Sequence, residues 1–263
     1  MIGGMTETPR DTIRRRILAG ETLFGAWADV GSPLATEIAA SAGYDWCVID
    51  MEHGSATEAD VLALLLAIEA GGAAALVRPP SGERLRIGRA LDLGAAGVVV
   101  PQLHSAAEAA EAVTFLRYPP DGRRGVALRT RGGRLGTLGH TEIRSVNEKL
   151  VGIVQIESPG ALREVDAIAA TDGVDVLFVG PADLSHSLGI PGQFSNPEYL
   201  AALDAVVAAC RRHGKAPGIL LYDHAAFGPH LERGFRFVGV GSESNFVAVG
   251  ARAALEAGRT AAG

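Results

Sequence analysis

The feature that most constrains this chain is a set of eight short apolar runs, rich in β-branched residues, that recur along most of its length. Each run is largely continuous rather than alternating in polarity, which is typical of parallel strands buried on both faces. The runs are 24–30, 46–51, 74–79, 97–103, 151–157, 176–180, 217–221 and 235–240. Stretches with helical spacing separate them, so the sequence predicts repeated βαβ units.

Four of the separating stretches carry clear signals for the start of a helix. They are 59–70 with Thr57 as a possible N-cap, 105–116 with a Ser-Ala-Ala-Glu capping box, and 159–170 and 197–213 with proline in the first turn. Eight such units predict a (β/α)₈ TIM barrel. An open, doubly wound sheet is the structural alternative, but the count of eight and the lack of a glycine-rich phosphate fingerprint disfavour it.

Composition and length favour one domain, residues 1–263, in which 1–22 form an N-terminal helical extension. The chain has 263 residues, 48% of them hydrophobic, and barrels of about 250 residues fold as single domains. We expect Arg14, Arg15 and Arg16 in this extension to face solvent. Near the other end, the alanine-rich helix 248–257 offers a small-residue face for packing against another subunit; the alternative is that it covers the chain's own barrel.

Charge and hydropathy exclude several classes of partner. The net charge is -6 without a basic stripe, which argues against nucleic-acid binding. The chain lacks an apolar signal segment and any apolar run of about 18 residues, so we expect a cytoplasmic protein without a membrane partner. Cys47 and Cys210 fall in apolar segments and are expected to be buried thiols rather than a disulfide.

Polar residues cluster where the predicted strands end, which is where barrel enzymes carry their catalytic groups. These residues are Asp29, Asp50, Glu52, His53, Arg78, Gln102, His104, Gln155, Glu157, Asp183, Tyr222, Asp223, Ser242 and Glu243. Glu157 and Asp183 follow adjacent strands, and two carboxylates with few other strong ligands suit a hard divalent cation. Alternatively, one carboxylate pairs with Arg78 and no metal binds.

Arg78 and His53 are the other candidates for catalysis. Arg78 lies in an apolar run, where a guanidinium needs a charged partner. That partner is either an enolate oxygen formed during a reaction or a structural carboxylate, Glu52 or Glu157. His53 follows Asp50 by three residues, so Asp50 can orient its ring; the alternative is a hydrogen-bonded structural histidine.

The positions of the lysines argue against one type of carbon–carbon bond chemistry. Lys149 and Lys215 are the only lysines, and both precede a strand, on the face of the barrel that serves stability. A Schiff-base mechanism needs a lysine in the site, so a metal is the favoured electron sink. Two loops are also expected: the arginine-rich segment 119–138, which reaches over a site or a subunit boundary, and the long βα loop 184–196.

With these residues in place, the chain resembles the HpcH/HpaI aldolase family, the metal-dependent pyruvate aldolases, over roughly residues 23–255. The segments that carry the resemblance are 24–27, 48–53, 77–79, 99–102, 155–159 and 180–185. The resemblance implies that Glu157 and Asp183 bind the metal and that His53 and Asp50 form an acid/base dyad. It also implies that Arg78 steadies a metal-stabilised enolate.

The same resemblance implies the ligands and the assembly. Gln155 and the backbone of Ala182 and Asp183 would contact the pyruvate half of the substrate. The cofactor would be magnesium, manganese or cobalt, with no organic cofactor, and the partners would be a 2-oxo acid, an aldehyde and further copies of the chain in a homohexamer. Leu135 replaces an aromatic residue common in the family. An acyl-CoA lyase and a catalytically silent oligomeric scaffold are the alternative functions.

Overall fold

Eight parallel strands close into one barrel in the computed structural model, which describes residues 7–263. Each strand pairs with its successor, and the last pairs with the first. The strands are β1 (Leu23–Ala28), β2 (Trp46–Asp50), β3 (Ala74–Arg78), β4 (Gly97–Val100), β5 (Val151–Ile156), β6 (Val176–Val179), β7 (Ala216–Leu220) and β8 (Phe237–Ser242). The predicted barrel is confirmed and the open sheet is wrong. Residues 1–6 of the predicted extension lie outside this description.

Helices follow the strands, and one further helix precedes β1. They are α1 (Pro9–Leu18), α2 (Pro33–Ala40), α3 (Val61–Ala70), α4 (Arg84–Leu93), α5 (Ala106–Thr114), α6 (Pro159–Arg163), α7 (Val165–Ala170), α8 (Pro181–Ser187), α9 (Pro197–His213), α10 (Phe227–Arg233) and α11 (Glu243–Ala261). Short 3₁₀ turns lie at Arg134–Gly136, Ile143–Glu148 and His224–Ala226. Between residues 7 and 263, none of the helices is long and apolar enough to cross a membrane.

Aromatic side chains fill the inside of the barrel. Trp46 stacks on Phe237 with ring centroids 4.1 Å apart and meets the edge of Phe178 at 6.5 Å. Gly25 on the neighbouring strand makes room for this tryptophan, because a Cβ there would lie 2.1 Å from the Trp46 ring. The interior is therefore a packed core that supports the polar ends of the strands above it.

Helix α1 closes the amino-terminal end of the barrel. Ile13 and Ile17 are buried against the interior cluster, and Arg14 pairs with Asp175, its Nε and Nη2 each 3.0 Å from a carboxylate oxygen. Asp175 is itself buried and needs a cation at this position. The prediction that Arg14 faces solvent is therefore wrong, because its partner lies beneath the helix.

Two predicted helices have different limits in the structure. Helix α3 begins at Val61, two residues later than predicted, because the Asp60 carboxylate accepts hydrogen bonds from the backbone and hydroxyl of Thr57 at 2.8 and 2.6 Å. The predicted helix 159–170 divides into α6 and α7 at Glu164, whose carboxylate accepts from the Ala106 N–H at 2.8 Å. A local turn delays the start of α3, whereas a long-range contact overrides local helix propensity between α6 and α7.

The arginine-rich segment 119–138 lies on the amino-terminal face of the barrel. Arg131 lies 2.7 Å from Glu69 near the end of α3, and Arg134 pairs with Asp11 of α1. Barrel helices run antiparallel to the strands, so the end of α3 lies opposite the carboxyl ends of the strands. Helix α1 covers that same end of the barrel. The prediction that this segment reaches over the site is wrong for its own chain.

Candidate active site

An ion pair joins the carboxyl ends of β2 and β3. Asp50 and Arg78 are direct register partners on these strands, which brings their side chains together. Arg78 Nε and Nη2 donate to the two oxygens of Asp50 at 2.9 and 2.7 Å, and both side chains are buried. A bidentate pair of this kind fixes the plane of the guanidinium as well as its position.

The Arg78 guanidinium also contacts groups on both sides of this pair. Its Nη1 lies 3.1 Å from a Glu52 carboxylate oxygen and 3.4 Å from Gln155 Oε1. The central carbon of the guanidinium, Cζ, lies 5.8 Å from the centroid of the Trp27 ring. Burial lowers the pKa of Arg78, but the hydrogen bonds and charge of the carboxylates more than offset this, so the net shift is upward. The sequence offered Glu52 and Glu157 as structural partners of Arg78, and of these two Glu52 forms a direct ion pair with it.

Glu157 follows β5 directly and is only 4% exposed. One of its oxygens accepts from the Gln102 backbone N–H at 2.8 Å, and the other accepts from Gln155 Nε2 at 2.7 Å. Gln102 has a positive φ of 57°, a strained conformation that points its N–H at this carboxylate. A Cβ at position 180 would lie 2.7 Å from Glu157, so Gly180 leaves this side open.

The surroundings of Glu157 make its negative charge costly. Burial raises its pKa to about 7, against the effect of the Gln102 N–H. The charges of Asp183 and Glu52 raise it further, whereas Arg78 lowers it. With Asp50, these carboxylates number four against a single guanidinium, so the ionised site needs additional positive charge.

Asp183 lies in the first turn of α8 and borders the same depression as Glu157. The beginning of the predicted loop 184–196 is therefore helical, and only the part after Ser187 is irregular. No group of three histidine, cysteine, aspartate or glutamate side chains within residues 7–263 is arranged to hold a metal. The two carboxylates nevertheless fit a hard cation that takes its other ligands from water and substrate, as Mg²⁺ does.

The other residues predicted to bind substrate lie beside this pair. The backbone N–H groups of Ala182 and Asp183 belong to the first turn of α8, where an α-helix leaves its N–H groups without intrahelical partners. Gln155 is buried and bridges Arg78 to Glu157. The structure thus places Gln155 against Glu157 and Ala182 next to Asp183, although the contacts of all three residues with a substrate stay predictions.

His53 lies in the turn after β2, with 61% of its side chain exposed. Its Nε2 is 3.8 Å from a Glu52 oxygen, and its backbone N–H donates to Asp50 at 3.3 Å. The Asp50 carboxylate is directed at Arg78 rather than at the imidazole ring. Asp50 and His53 are therefore neighbours through the main chain, and the acid/base dyad stays a prediction.

Both lysines lie on the opposite face of the barrel, as predicted. Lys149 Nζ is 3.0 Å from Asp11 of α1, and Lys215 Nζ donates to the Val174 carbonyl at 2.7 Å, just before β6. Neither lysine is near the carboxyl ends of the strands. A lysine Schiff base formed by this chain at the site is therefore excluded.

Sequence reasoning found the positions of Glu52 and Gln102 but gave neither a catalytic or binding role. Glu52 was recognisable as a candidate partner of Arg78, since it follows the neighbouring strand. The contribution of Gln102 had no sequence signal, because its backbone N–H rather than its side chain holds Glu157. Any residue type at position 102 would supply that donor, apart from proline.

Comparisons with known proteins extend along most of the chain. The family model described as HpcH/HpaI aldolase/citrate lyase matches residues 23–249. The chain is 40% identical to a 5-keto-4-deoxy-D-glucarate aldolase of Klebsiella pneumoniae over 86% of this chain and 88% of that protein. It is also 40% identical to a hydroxypyruvate/pyruvate aldolase of Paraburkholderia phytofirmans, over 93% and 96%. A crystal structure of an HpcH/HpaI aldolase/citrate lyase family protein from Burkholderia cenocepacia superposes with a TM-score of 0.90 at 39% identity, covering 95% and 99% of the two chains.

Proposed function

Because the chain belongs to the HpcH/HpaI aldolase/citrate lyase family and is a carbon–carbon lyase, we propose that it catalyses a reversible aldol reaction of pyruvate, or a close 2-oxo acid, with an aldehyde. The proposal includes a divalent cation as cofactor. The family membership predicted from the sequence is confirmed, and the names of both aldolase relatives agree with this type of reaction.

The observation that carries the proposal is the environment of Glu157. Its two oxygens accept hydrogen bonds from neutral amides, and Asp183 adds a second negative charge close by. Such a pair is costly without a cation and favourable with one. We propose that Glu157 and Asp183 hold magnesium, manganese or cobalt, which when bound supplies Lewis-acid stabilisation of the 2-oxo acid as its enolate forms.

Arg78 and Gln155 are placed to orient the 2-oxo acid. The pair with Asp50 holds the guanidinium in place beside Gln155, so an N–H directed at the keto oxygen would need little reorganisation. That oxygen gains negative charge as the bond breaks, and the attraction to Arg78 therefore grows along the reaction. Gln155 contacts both Arg78 and Glu157 and keeps their separation fixed.

His53 is the candidate for proton transfer at the other half of the substrate. In the cleavage direction, the substrate hydroxyl proton passes to Nε2 of the exposed imidazole while the adjacent carbon–carbon bond breaks. The aldehyde leaves, and a proton then adds to the remaining enolate carbon to give the 2-oxo acid. Glu52 lies 3.8 Å from this nitrogen, on the side of the ring that faces Arg78.

Exchange of pyruvate methyl protons in deuterated water tests the proposal without an aldehyde, because exchange requires only the enolate. We expect exchange with added magnesium, manganese or cobalt and none after exhaustive chelation. Condensation with a simple aldehyde should show the same requirement. Full activity in chelator, or covalent trapping of pyruvate by borohydride, would contradict the metal-dependent mechanism.

We also propose that the chain acts as a homo-oligomer, a hexamer by family resemblance. The support is helix α11, nineteen residues long, in which Glu243 is the only buried residue. Val247, Val249 and Leu255 of this helix are exposed although they are apolar. A helix with so little contact to its own barrel gains stability by packing against another copy.

The alternative functions gain no specific support. The acyl-CoA lyase interpretation rested on the arginine-rich segment, which pairs with carboxylates of its own chain on the opposite face of the barrel. A buried carboxylate whose pKa is raised to about 7 beside a second carboxylate is typical of a functional site and is not expected in a catalytically silent scaffold.

A further inference from the structure

Four polar side chains occupy the part of the barrel mouth that the proposed mechanism does not use. The residues described so far follow β2 to β6, whereas Asp29 follows β1, Tyr222 follows β7, and Ser242 and Ser244 lie at the end of β8 and just beyond. Strands β7, β8 and β1 are consecutive neighbours in the closed sheet. We call these four side chains the polar sector.

Asp29 anchors the polar sector. One carboxylate oxygen accepts from the Ser244 backbone N–H at 2.9 Å, and the other accepts from the Ser244 hydroxyl. The Ser242 hydroxyl lies 3.1 Å from that of Ser244. Because the Ser244 proton is directed at Asp29, the hydrogen bond between the two serines is donated by Ser242.

Tyr222 joins the polar sector to the site. It follows β7, and its side chain lies close to Ser242 on β8 and within range of the charges of Asp29, Arg78 and Asp50. Burial raises the pKa of its phenol, and the two aspartates raise it further, so the hydroxyl keeps its proton. The residue is still 53% exposed, so one side of it faces the mouth.

The direction of these hydrogen bonds determines which ligand group fits. The hydroxyl protons of Ser242 and Ser244 point along the chain of contacts towards Asp29, which leaves the oxygen lone pairs of these serines for a ligand. Segments 29–30, 221–224 and 242–245 also contain three carboxylates and neither lysine nor arginine. A group bound here meets the serine acceptors and the negative charge of Asp29, which favours a neutral hydroxyl and disfavours a carboxylate.

We propose that the polar sector binds the aldehyde half of the substrate and selects a neutral hydroxyaldehyde over an acidic or apolar aldehyde, with Tyr222 and Asp29 as specificity-determining residues. This inference rests on the proposed aldol function. The 2-oxo acid side of the site lies along β3, β5 and β6, and the aldehyde half extends from it towards the remaining strands. Tyr222 lies near both Ser242 and the Arg78–Asp50 pair, so it is placed to contact a hydroxyl on the carbon next to the aldehyde.

Three acceptors of similar size test the inference with pyruvate as the common partner: glycolaldehyde, propionaldehyde and glyoxylate. They place a hydroxyl, a methyl group or a carboxylate next to the aldehyde. In Tyr222→Phe, we expect the ratio of kcat/KM for glycolaldehyde to that for propionaldehyde to fall by about fivefold or more, the effect of one hydrogen bond. Tyr199→Phe is the matched control, since Tyr199 is buried in α9 on the outside of the barrel, and it should leave the ratio unchanged.

Asp29→Asn tests the charge separately, because the amide oxygen can still accept from Ser244. We expect the ratio of kcat/KM for glyoxylate to that for glycolaldehyde to rise by about tenfold. The reason is that the variant removes the repulsion between the Asp29 carboxylate and a glyoxylate carboxylate roughly 6 Å away in a medium of intermediate dielectric. Ratios unchanged in both variants, while the wild type exchanges pyruvate methyl protons, would overturn the selectivity alone. Absence of both proton exchange and aldol turnover in the wild type would overturn the proposed function and this inference with it.

Discussion

Glutamine in place of Glu157 gives a protein whose stability should respond differently to pH. The Glu157 pKa is raised from 4.5 to about 7 by burial, so the metal-free folded protein binds this proton more tightly than the unfolded chain does. Stability from this group is therefore complete below pH 4.5 and is lost as the pH rises through 7. Glutamine keeps the size of the protonated side chain but cannot ionise, and the loss should be absent in the variant.

The magnitude follows from the change in pKa. Each tenfold change in proton affinity is worth about 1.4 kcal/mol, so raising the pKa from 4.5 to about 7 corresponds to about 3 kcal/mol in full. Between pH 5 and pH 8 we expect the wild type to lose about 2 kcal/mol or more relative to Glu157→Gln. The fixed cost of placing an amide opposite Gln155 is equal at both pH values and cancels in this comparison.

Urea unfolding in the presence of a chelator gives the free energy of unfolding of the wild type and of Glu157→Gln at pH 5 and at pH 8. The expected effect is the change in the difference between these two free energies from pH 5 to pH 8. Glu256→Gln, an exposed change on α11, is the matched control and should track the wild type. Added magnesium or manganese should then stabilise the wild type at pH 8 but not Glu157→Gln. Parallel wild-type and variant stabilities from pH 5 to pH 8 would refute the argument that burial holds the proton on Glu157.

Three further predictions concern Arg78, Arg14 and α11. Arg78→Ala should lower kcat by about a hundredfold, as loss of an oxyanion donor does, and should abolish pyruvate proton exchange. Arg78→Lys should not restore the rate. Proton exchange at the wild-type rate in Arg78→Ala would show that the role of Arg78 is purely structural. Arg14→Ala should lower the free energy of unfolding by about 3 kcal/mol, since it leaves buried Asp175 unpaired, whereas Arg15→Ala at an exposed pair should change it little. Light scattering at micromolar concentration should give an oligomer, and a chain without α11 should give a smaller assembly; a wild-type monomer would reject the proposed packing.

The sequence alone determined the architecture of this protein and which reactive side chains lie at each end of the barrel. Continuous apolar runs spaced by helical stretches have few ways to bury both faces of every strand, and eight such units close into a barrel. Because the carboxyl ends of parallel strands meet at one face, the positions of Glu157, Asp183 and Arg78 after their strands were enough to place them together. The locations of the lysines likewise followed from their positions before strands.

Only the tertiary structure decided which of these groups contact one another. Asp50 was predicted to orient His53, three residues away, but the register of β2 and β3 places it against Arg78 instead. Arg14 was predicted to face solvent, but helix α1 covers Asp175 and Arg14 forms an ion pair with it. Contacts of this kind depend on distances between segments far apart in the chain, and local pattern carries no information about them. Sequence therefore determines which side chains reach the barrel mouth, whereas strand register and long-range packing determine how they pair.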